Sequence, residues 1–211
     1  MAEHDEQAIE LPTEQPGGLR VLGVSGSLHE KSRSATVLEL VLRLATARGA
    51  QTRLLDLRVI ELPLYRPSRQ ASEAEQRMLE DILWAEAVVL ASPDYHGSIS
   101  GALKNFLDYT GDECAGKLFG YICSSHEKGL TVMDQMRTVV RQCYGWSMPY
   151  GVSFHGHTDL DAAGVVVNTR IEARLKMMAR DLVSYGTLLH RQFASDLASD
   201  EPSTFAAAYR E

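Results

Sequence analysis

Short apolar segments alternate with longer amphipathic segments through most of the chain, and this alternation limits it to few folds. The apolar segments lie near residues 20–25, 52–57, 87–91, 118–123 and 149–155. Helical spacing of apolar residues runs over 34–48, 72–84, 102–109, 130–143 and 169–191. The run 87–91 is apolar at every position, which is typical of a parallel strand buried on both faces. This order predicts right-handed β-α-β crossovers and an α/β fold with a doubly wound parallel sheet.

The charge of the chain is concentrated at its two ends. The formal net charge is −7, from 28 acidic and 21 basic residues. Residues 1–17 contain five acids and no base, and residues 195–211 contain four acids and one base. The middle of the chain therefore carries 19 acids and 20 bases, a net of +1. We expect an acidic flexible tail over 1–18, one folded domain over 19–194, a C-terminal tail over 195–211, and no nucleic-acid partner.

The sequence shows no feature of a membrane or secreted protein. No apolar run approaches the roughly 20 residues of a membrane span, and residues 1–16 lack the basic and apolar regions of a secretory signal. Cys114, Cys123 and Cys143 are widely spaced and form no C-x-x-C pair. His155 and His157 are weak evidence for a metal, because no other ligand pattern accompanies them. We predict a cytoplasmic protein with buried thiols, no membrane contact and no metal.

The first apolar segment is followed by a polar turn before the first helical pattern. Ligands of doubly wound sheets bind beyond the carboxyl ends of the strands, so this turn is a candidate site. It carries four serines and three side chains that can be cationic: Ser25, Ser27, Ser32, Ser34, His29, Lys31 and Arg33. Its glycine spacing fits neither a triphosphate P-loop nor a dinucleotide loop, which favours a single phosphate monoester. The alternative is a polar turn with an ordinary serine N-cap.

The third apolar segment is followed by a second candidate loop. Pro93 and Gly97 shape this turn, and Tyr95 and His96 offer flat surfaces with polar tips to a planar ring. Small residues follow at Gly101 and Ala102, where they permit close approach of a ligand or a neighbouring helix.

The segments GVSGSLHEKSRS and SPDYHGSISGALKNFLD resemble the two signature loops of the NAD(P)H-dependent FMN reductase family. That family usually shows G-S-L-R-x-x-S-x-N in the first loop and P-x-Y-[NH]-x-S-x-x-G-x-L-K-N-x-x-D in the second. The second pattern is matched nearly completely, and the resemblance extends over about 19–193. It implies a flavodoxin-like fold whose five parallel strands have the order 2-1-3-4-5, with helices on both faces.

The resemblance also implies which residues bind FMN. Ser25, Ser27, His29, Ser32 and Ser34 belong to the phosphate loop, Pro93, Asp94, Tyr95, His96, Gly97 and Ser98 run along the isoalloxazine, and Ser124 and Ser125 meet its pyrimidine side. The last pair matches by position only, and a solvated loop over 126–128 is an equal alternative. His29 and Ser34 replace the usual Arg and Asn. Either Lys31 and Arg33 compensate for the lost permanent charge, or phosphate binding is weaker and depends on pH.

By the same resemblance, the protein is an oxidoreductase. It would pass a hydride from NADPH or NADH to FMN and then electrons to a small-molecule acceptor: a flavin, a quinone, an azo compound or a metal species. We assign no catalytic side chain, because the flavin carries the chemistry. The family implies a homodimer or homotetramer. The alternatives are a flavodoxin-type electron carrier and a flavin-binding regulatory protein, and the near-neutral middle of the chain favours the reductase over an acidic carrier.

Overall fold

The computed structural model describes residues 17–67 and 72–210. The expected tail over 1–18 lies outside these residues except for Gly17 and Gly18. The strands are β1 (Arg20–Ser25), β2 (Gln51–Asp56), β3 (Ala87–Pro93), β4 (Leu118–Ser124), β5 (Trp146–Ser147) and β6 (Val152–Phe154). The helices are α1 (Arg33–Thr46), α2 (Glu73–Trp84), α3 (Gly101–Asp108), α4 (Leu130–Gln142) and α5 (Thr169–Leu197), with short 3₁₀ helices at Asp112–Cys114 and Phe205–Tyr209.

The sheet is parallel and has the order β2-β1-β3-β4-β5, which confirms the predicted flavodoxin-like topology. The predicted fifth strand over 149–155 forms only as β6, Val152–Phe154, which pairs with β4. The two-residue β5 lies before the predicted segment and also pairs with β4. Pro149 lies between β5 and β6 and cannot donate a ladder hydrogen bond, so the predicted start of the strand was wrong.

Both faces of the sheet are covered, and β3 shows how the sequence achieves this. Val88 and Leu90 pack into the apolar cluster that also contains α2 and α3 residues, whereas Val89 and Ala91 pack into the cluster shared with α1 and α5. Successive side chains of a strand point to opposite faces, so a strand buried on both sides must be apolar throughout. The carboxyl ends of β1, β3 and β4 meet at one edge, where Ser25 pairs with Ala91 and Pro93 pairs with Ser124.

The C-terminal segment is part of the packed structure rather than a loose tail. Helix α5 continues to Leu197, and Ala206 in the following 3₁₀ helix is buried. The Arg210 guanidinium donates to the carbonyl oxygens of Asp196 at 2.9 Å and Glu201 at 2.7 Å, which holds this segment against the end of α5.

Three further features of the described residues bear on the predictions. The thiols of Cys114, Cys123 and Cys143 are free and buried. Over 17–67 and 72–210, no group of three or more His, Cys, Asp or Glu side chains is arranged to hold a metal ion. None of the helices in this part of the chain combines the length and the apolar character needed to cross a bilayer.

A buried carboxylate near the amino end of the sheet predicts how stability depends on pH. Glu86 accepts from Arg20 at 2.8 Å and lies 3.0 Å from Nε2 of His190. Burial lowers the pKa of His190; Glu86 raises it, and Arg20 and Lys117 lower it further. His190 therefore binds a proton more readily in the unfolded chain than in the folded one. Its contribution to the free energy of unfolding is fully present above about pH 6.5 and is lost as the pH falls below that value.

We expect urea unfolding to give a free energy that declines from pH 7 to pH 5.5. His190→Gln removes the titrating group while it keeps a polar side chain, so its decline over the same window should be smaller. An identical decline in both proteins would contradict the assignment to His190.

Candidate functional site

The loop between β1 and α1 folds into a small polar depression, here called the serine cup. Ser32 caps α1 by accepting from the backbone N–H of Ala35 at 3.2 Å, and its Oγ lies 3.0 Å from Oγ of Ser34. Ser27 accepts from the N–H of His29 at 3.3 Å. The cup encloses about 120 Å³, which is the space of about four water molecules. Its walls include Ser25, Ser27, His29, Glu30, Lys31, Ser32, Thr36, Glu39, Asp56 and Arg58.

The hydroxyl of Ser25 is the least satisfied group in this cup. Ser25 is 1% exposed, and its Oγ has no hydrogen-bond partner in the described part of the chain. A buried hydroxyl without a partner costs about 1–3 kcal/mol, so such a group calls for an explanation by function. Together with the Ser27 and Ser32 hydroxyls, it gives the cup three groups that can donate to an anion near the amino end of α1.

The positive charge of the cup differs from the sequence prediction. The Arg33 guanidinium donates to the carbonyl oxygen of Gly156, and Arg33 is not among the residues that line the cup. Arg58 lines the cup instead, held 3.2 Å from Asp56, and sequence reasoning missed it. The available signal was strand order, since β2 adjoins β1 and its following loop must lie beside the first loop.

His29 also lines the cup. Its Nδ1 accepts from the backbone N–H of Lys31 at 3.0 Å, which leaves the proton on Nε2. Glu30 and Glu39 also lie in the walls. The carboxylates of Glu30, Glu39 and Asp56 outnumber the cations Lys31 and Arg58 in these walls, so an anion in the cup would depend on N–H and hydroxyl donors.

The loop after β3 is a two-residue hairpin turn. Tyr95 and Ser98 exchange backbone hydrogen bonds of 3.0 and 3.1 Å, and both residues between them have positive φ, 58° at His96 and 78° at Gly97. This combination defines a type I′ turn, in which glycine is favoured at the second position. The turn places Tyr95, 50% exposed, and His96 at the carboxyl edge of the sheet.

Asp94 joins the loop after β3 to the loop after β4. One carboxylate oxygen accepts from the N–H of Gly97 at 2.7 Å, and the other accepts from Oγ of Ser125 at 2.7 Å. The Asp94 N–H donates to the carbonyl oxygen of Ser124 at 2.8 Å. The hydroxyl of Ser98 donates to Gln135 on α4 at 2.9 Å. The side chains of Asp94, Ser98 and Ser125 are therefore engaged in positioning the loops.

A wide cavity of about 860 Å³ opens between these two loops. Its walls are Asp94, His96, Gly97, Ser125, His126, Glu127, Lys128, Gly129, Leu130 and Thr131. Gly129 is the N-cap of α4 and supplies no side-chain cap, so the first turn of α4 presents uncapped N–H groups at this wall. Burial and then the nearby Asp94 carboxylate raise the pKa of Cys123 to about 12, so that thiol stays protonated beneath the wall.

The structure brings the predicted residues together at one edge of the sheet. The serine cup holds Ser25, Ser27, His29 and Ser32, with Ser34 buried beside them. The wide cavity lies between the loops after β3 and β4, and of the predicted residues there Asp94, His96, Gly97 and Ser125 line it, whereas Pro93, Tyr95, Ser98 and Ser124 do not. A small polar cup and a cavity large enough for a ring system thus lie at the same edge of the sheet.

Sequence reasoning did not foresee one contact at this edge. Nδ1 of His126, after β4, lies 3.0 Å from Nε2 of His155, after β6. The His157 ring is stacked with that of His126, with centroids 6.2 Å apart. No spacing in the sequence connects His126 with His155; only the pairing of β4 with β6 does.

Comparison with known proteins gives a consistent result. A family model described as NADPH-dependent FMN reductase matches residues 19–159. The NADPH azoreductase of Bacillus sp. (strain OY1-2) is 27% identical over 143 residues, which cover 65% of this chain and 78% of that protein. The NADPH-dependent FMN reductase ArsH of Shigella flexneri is 26% identical over 207 residues, which cover 93% of this chain and 80% of that protein.

Solved structures agree with the fold. FerB from Paracoccus denitrificans, described as a flavoenzyme NAD(P)H:(acceptor) oxidoreductase, aligns with a TM-score of 0.69 at 21% identity. The alignment covers 81% of this chain and 98% of that one. A flavodoxin from the domain Archaea aligns with a TM-score of 0.56 at 9% identity, covering 80% of this chain and 99% of that one.

Proposed function

Because the chain belongs to the NADPH-dependent FMN reductase family, we propose that the serine cup holds the phosphate of FMN and the wide cavity holds its ring system. The protein is an NAD(P)H-dependent oxidoreductase that uses FMN. FMN when bound supplies the hydride chemistry, accepting from NAD(P)H and passing electrons to an acceptor. The carrier alternative is set aside, since this family consists of reductases.

The observation that carries the cup assignment is the Ser25 hydroxyl. A phosphate oxygen gives this buried donor the acceptor that the protein does not provide. Ser27 and Ser32 add donors, Ser34 supports Ser32, and Lys31 and Arg58 offset part of the phosphate charge. His29 contributes a neutral Nε2–H donor in place of a permanent charge.

The residues around the wide cavity shape it rather than perform chemistry. Asp94 fixes the turn at Gly97 and the loop at Ser125 through its two carboxylate oxygens. His96 and Gly97 line one side of the proposed ring site and Ser125 lines the other; Pro93, Tyr95, Ser98 and Ser124 belong to the same two loops. This preorganisation lets the ring bind without first ordering two loops.

We also propose that the protein forms a homodimer or homotetramer and resides in the cytoplasm. Exposed apolar side chains lie beside the cup, including Leu28 at 58% and Leu64 at 75% exposure, around an apolar groove of about 390 Å³. A patch of this kind favours contact with a second copy. Free, buried thiols suit a reducing compartment.

The cup assignment predicts a strong preference for FMN over riboflavin, which lacks the phosphate. Titration of the apoprotein, followed by flavin fluorescence, should give at least about 100-fold tighter binding of FMN, because several charge-assisted hydrogen bonds are lost together, at about 1.5–3 kcal/mol each. NADPH oxidation with an added quinone should depend on FMN. Equal affinities for the two flavins would contradict the phosphate assignment.

A further inference from the structure

Two of the three cysteine thiols lie in contact, although the two residues are distant in the chain. The thiols of Cys114 and Cys143, here called the thiol pair, are hydrogen-bonded to each other. Sγ of Cys143 also donates to the carbonyl oxygen of Thr110 at 3.6 Å and lies 4.0 Å from Oγ1 of Thr110. The third thiol, Cys123, lies near the other end of β4, about 16 Å from Leu118 at the usual rise of a strand. Cys123 is therefore not a partner of either thiol.

Backbone contacts hold the two segments of the thiol pair side by side. Cys114 ends the 3₁₀ helix that precedes β4, and Cys143 is the C-cap of α4, which precedes β5. The N–H of Gly116 donates to the carbonyl oxygen of Tyr144 at 3.4 Å. The parallel pairing of β4 with β5 begins just beyond this bond. The edge of the sheet, rather than a chance meeting of flexible side chains, thus places the two thiols together.

Within the pair, Cys143 is better placed to meet a small oxidant. Cys143 is 9% exposed, and Cys114 is 2% exposed. The hydrogen bond from Cys114 lowers the pKa of Cys143. Burial raises that pKa, the Thr110 hydroxyl lowers it, and the carboxylates of Glu113 and Asp112 raise it, each by less. The same hydrogen bond and then burial raise the pKa of Cys114. Because the thiolate is the reacting form, Cys143 has the character of the attacking thiol and Cys114 that of the resolving thiol.

We propose that the thiol pair is an oxidation site for hydrogen peroxide, in which Cys143 reacts first and the product is a Cys114–Cys143 disulfide. The Cys143 sulfur attacks a peroxide oxygen: an S–O bond forms, the O–O bond breaks, and the released hydroxide leaves as water with the Cys143 proton. The Cys114 sulfur then attacks the sulfenic sulfur: the S–S bond forms, the S–O bond breaks, and a second water leaves with the Cys114 proton. The two sulfurs lose two electrons in total, and one peroxide is reduced to two waters.

This oxidation site is separate from the proposed flavin site. Leu130 and Thr131 in the first turn of α4 line the wide cavity, whereas Cys143 lies at the opposite end of that helix. A helix of 13 residues is about 20 Å long. The disulfide would fasten the far end of α4 to the segment before β4, and no residue of the serine cup or of the cavity takes part. The inference therefore does not depend on the proposed function.

The test is to oxidise the folded protein with hydrogen peroxide, block the remaining thiols with N-ethylmaleimide, and map the peptides by mass spectrometry. We expect one Cys114–Cys143 disulfide, a mass loss of about 2 Da for the two hydrogens removed, and one titratable thiol per chain in urea where the reduced protein has three. Dithiothreitol should restore all three thiols by exchange. Oxidation of the urea-unfolded protein is the control. The contact is lost there, so disulfides that include Cys123 should also form.

Single substitutions separate the two roles. In Cys114→Ala, the resolving thiol is missing, so Cys143 should stop at the sulfenic acid, which dimedone labels. In Cys143→Ala, Cys114 should stay unlabelled. Cys123→Ala is the matched control and should form the same disulfide as the wild-type protein.

The wild-type peptide map decides the question even where a variant does not fold, which far-UV circular dichroism would show. Three thiols retained after peroxide treatment, a disulfide that includes Cys123 in the folded protein, or a disulfide between two chains would overturn the proposal. Dimedone labelling of Cys114 in place of Cys143 would overturn it as well.

Discussion

Replacing Ser32 by Asp should abolish FMN retention while leaving the fold intact. Aspartate caps a helix as well as serine does, so the bond to the Ala35 N–H and the start of α1 should be preserved. The new carboxylate would face the phosphate in the serine cup. Two like charges about 4 Å apart at an effective dielectric constant near 20 repel by about 4 kcal/mol, which corresponds to roughly 1,000-fold weaker binding.

Ser32→Asn is the matched control for this experiment. Asparagine has the shape of aspartate and also caps helices, but it carries no charge. FMN titration of the two variants therefore isolates the electrostatic term, and thermal unfolding should show similar midpoints for both. Riboflavin binding should respond equally to the two substitutions. If both variants bind FMN with the same affinity, Ser32 does not lie beside the phosphate.

Replacing Gly26 by Ala should destabilise the protein and disturb the cup at the same time. An added Cβ would lie 2.7 Å from Cβ of Leu103 and 3.0 Å from the carbonyl oxygen of Ala91. These atoms belong to α3 and β3 and cannot rotate away. Overpacking of this kind costs about 1–3 kcal/mol, which should lower the thermal midpoint by about 5–10 °C in a chain of this size. FMN affinity should fall as well.

Gly101→Ala tests whether the effect is specific to the packing at Gly26. No atom lies within 4 Å of a Cβ added at Gly101, the first residue of α3. Alanine is the better helix former, so stability should rise slightly, by up to about 1 kcal/mol. Urea unfolding of both variants checks the contrast. Loss of stability in Gly101→Ala, or none in Gly26→Ala, would contradict the packing argument.

These two glycines show where reasoning from the sequence reached its limit. Both occur in the signature loops, and Gly101 was expected to permit close approach of a ligand or a helix. The structure packs Gly26 against the protein itself, whereas Gly101 borders the apolar groove beside Leu28. A glycine in a motif indicates that a side chain is not tolerated at that position. Only the packing of neighbouring helices and strands shows which atoms occupy the space that the side chain would need.

His190 gives a second example of the same limit. The helical pattern in the sequence ends near residue 191, which places His190 at a helix terminus, where a positive charge is favourable. Helix α5 instead continues to Leu197, and His190 contacts the buried carboxylate of Glu86. Because Glu86 lies beside the start of β3, this contact depends on how α5 crosses the sheet.

The sequence alone determined the alternation of strands and helices, through apolar periodicity, and the family, through the residue types of two short motifs. The resemblance to that family then implied the sheet order and the candidate site loops. Tertiary structure decided which side chains in those loops are free. Arg33 contacts the backbone at Gly156, and Arg58 lines the cup. Asp94 and Ser98 form hydrogen bonds within the protein, whereas the Ser25 hydroxyl has no partner among the described residues. The rings of His126 and His155 come within hydrogen-bond distance of each other. Each of these outcomes depends on contacts between strands that are neighbours in the sheet but distant in the chain, and no local pattern encodes them.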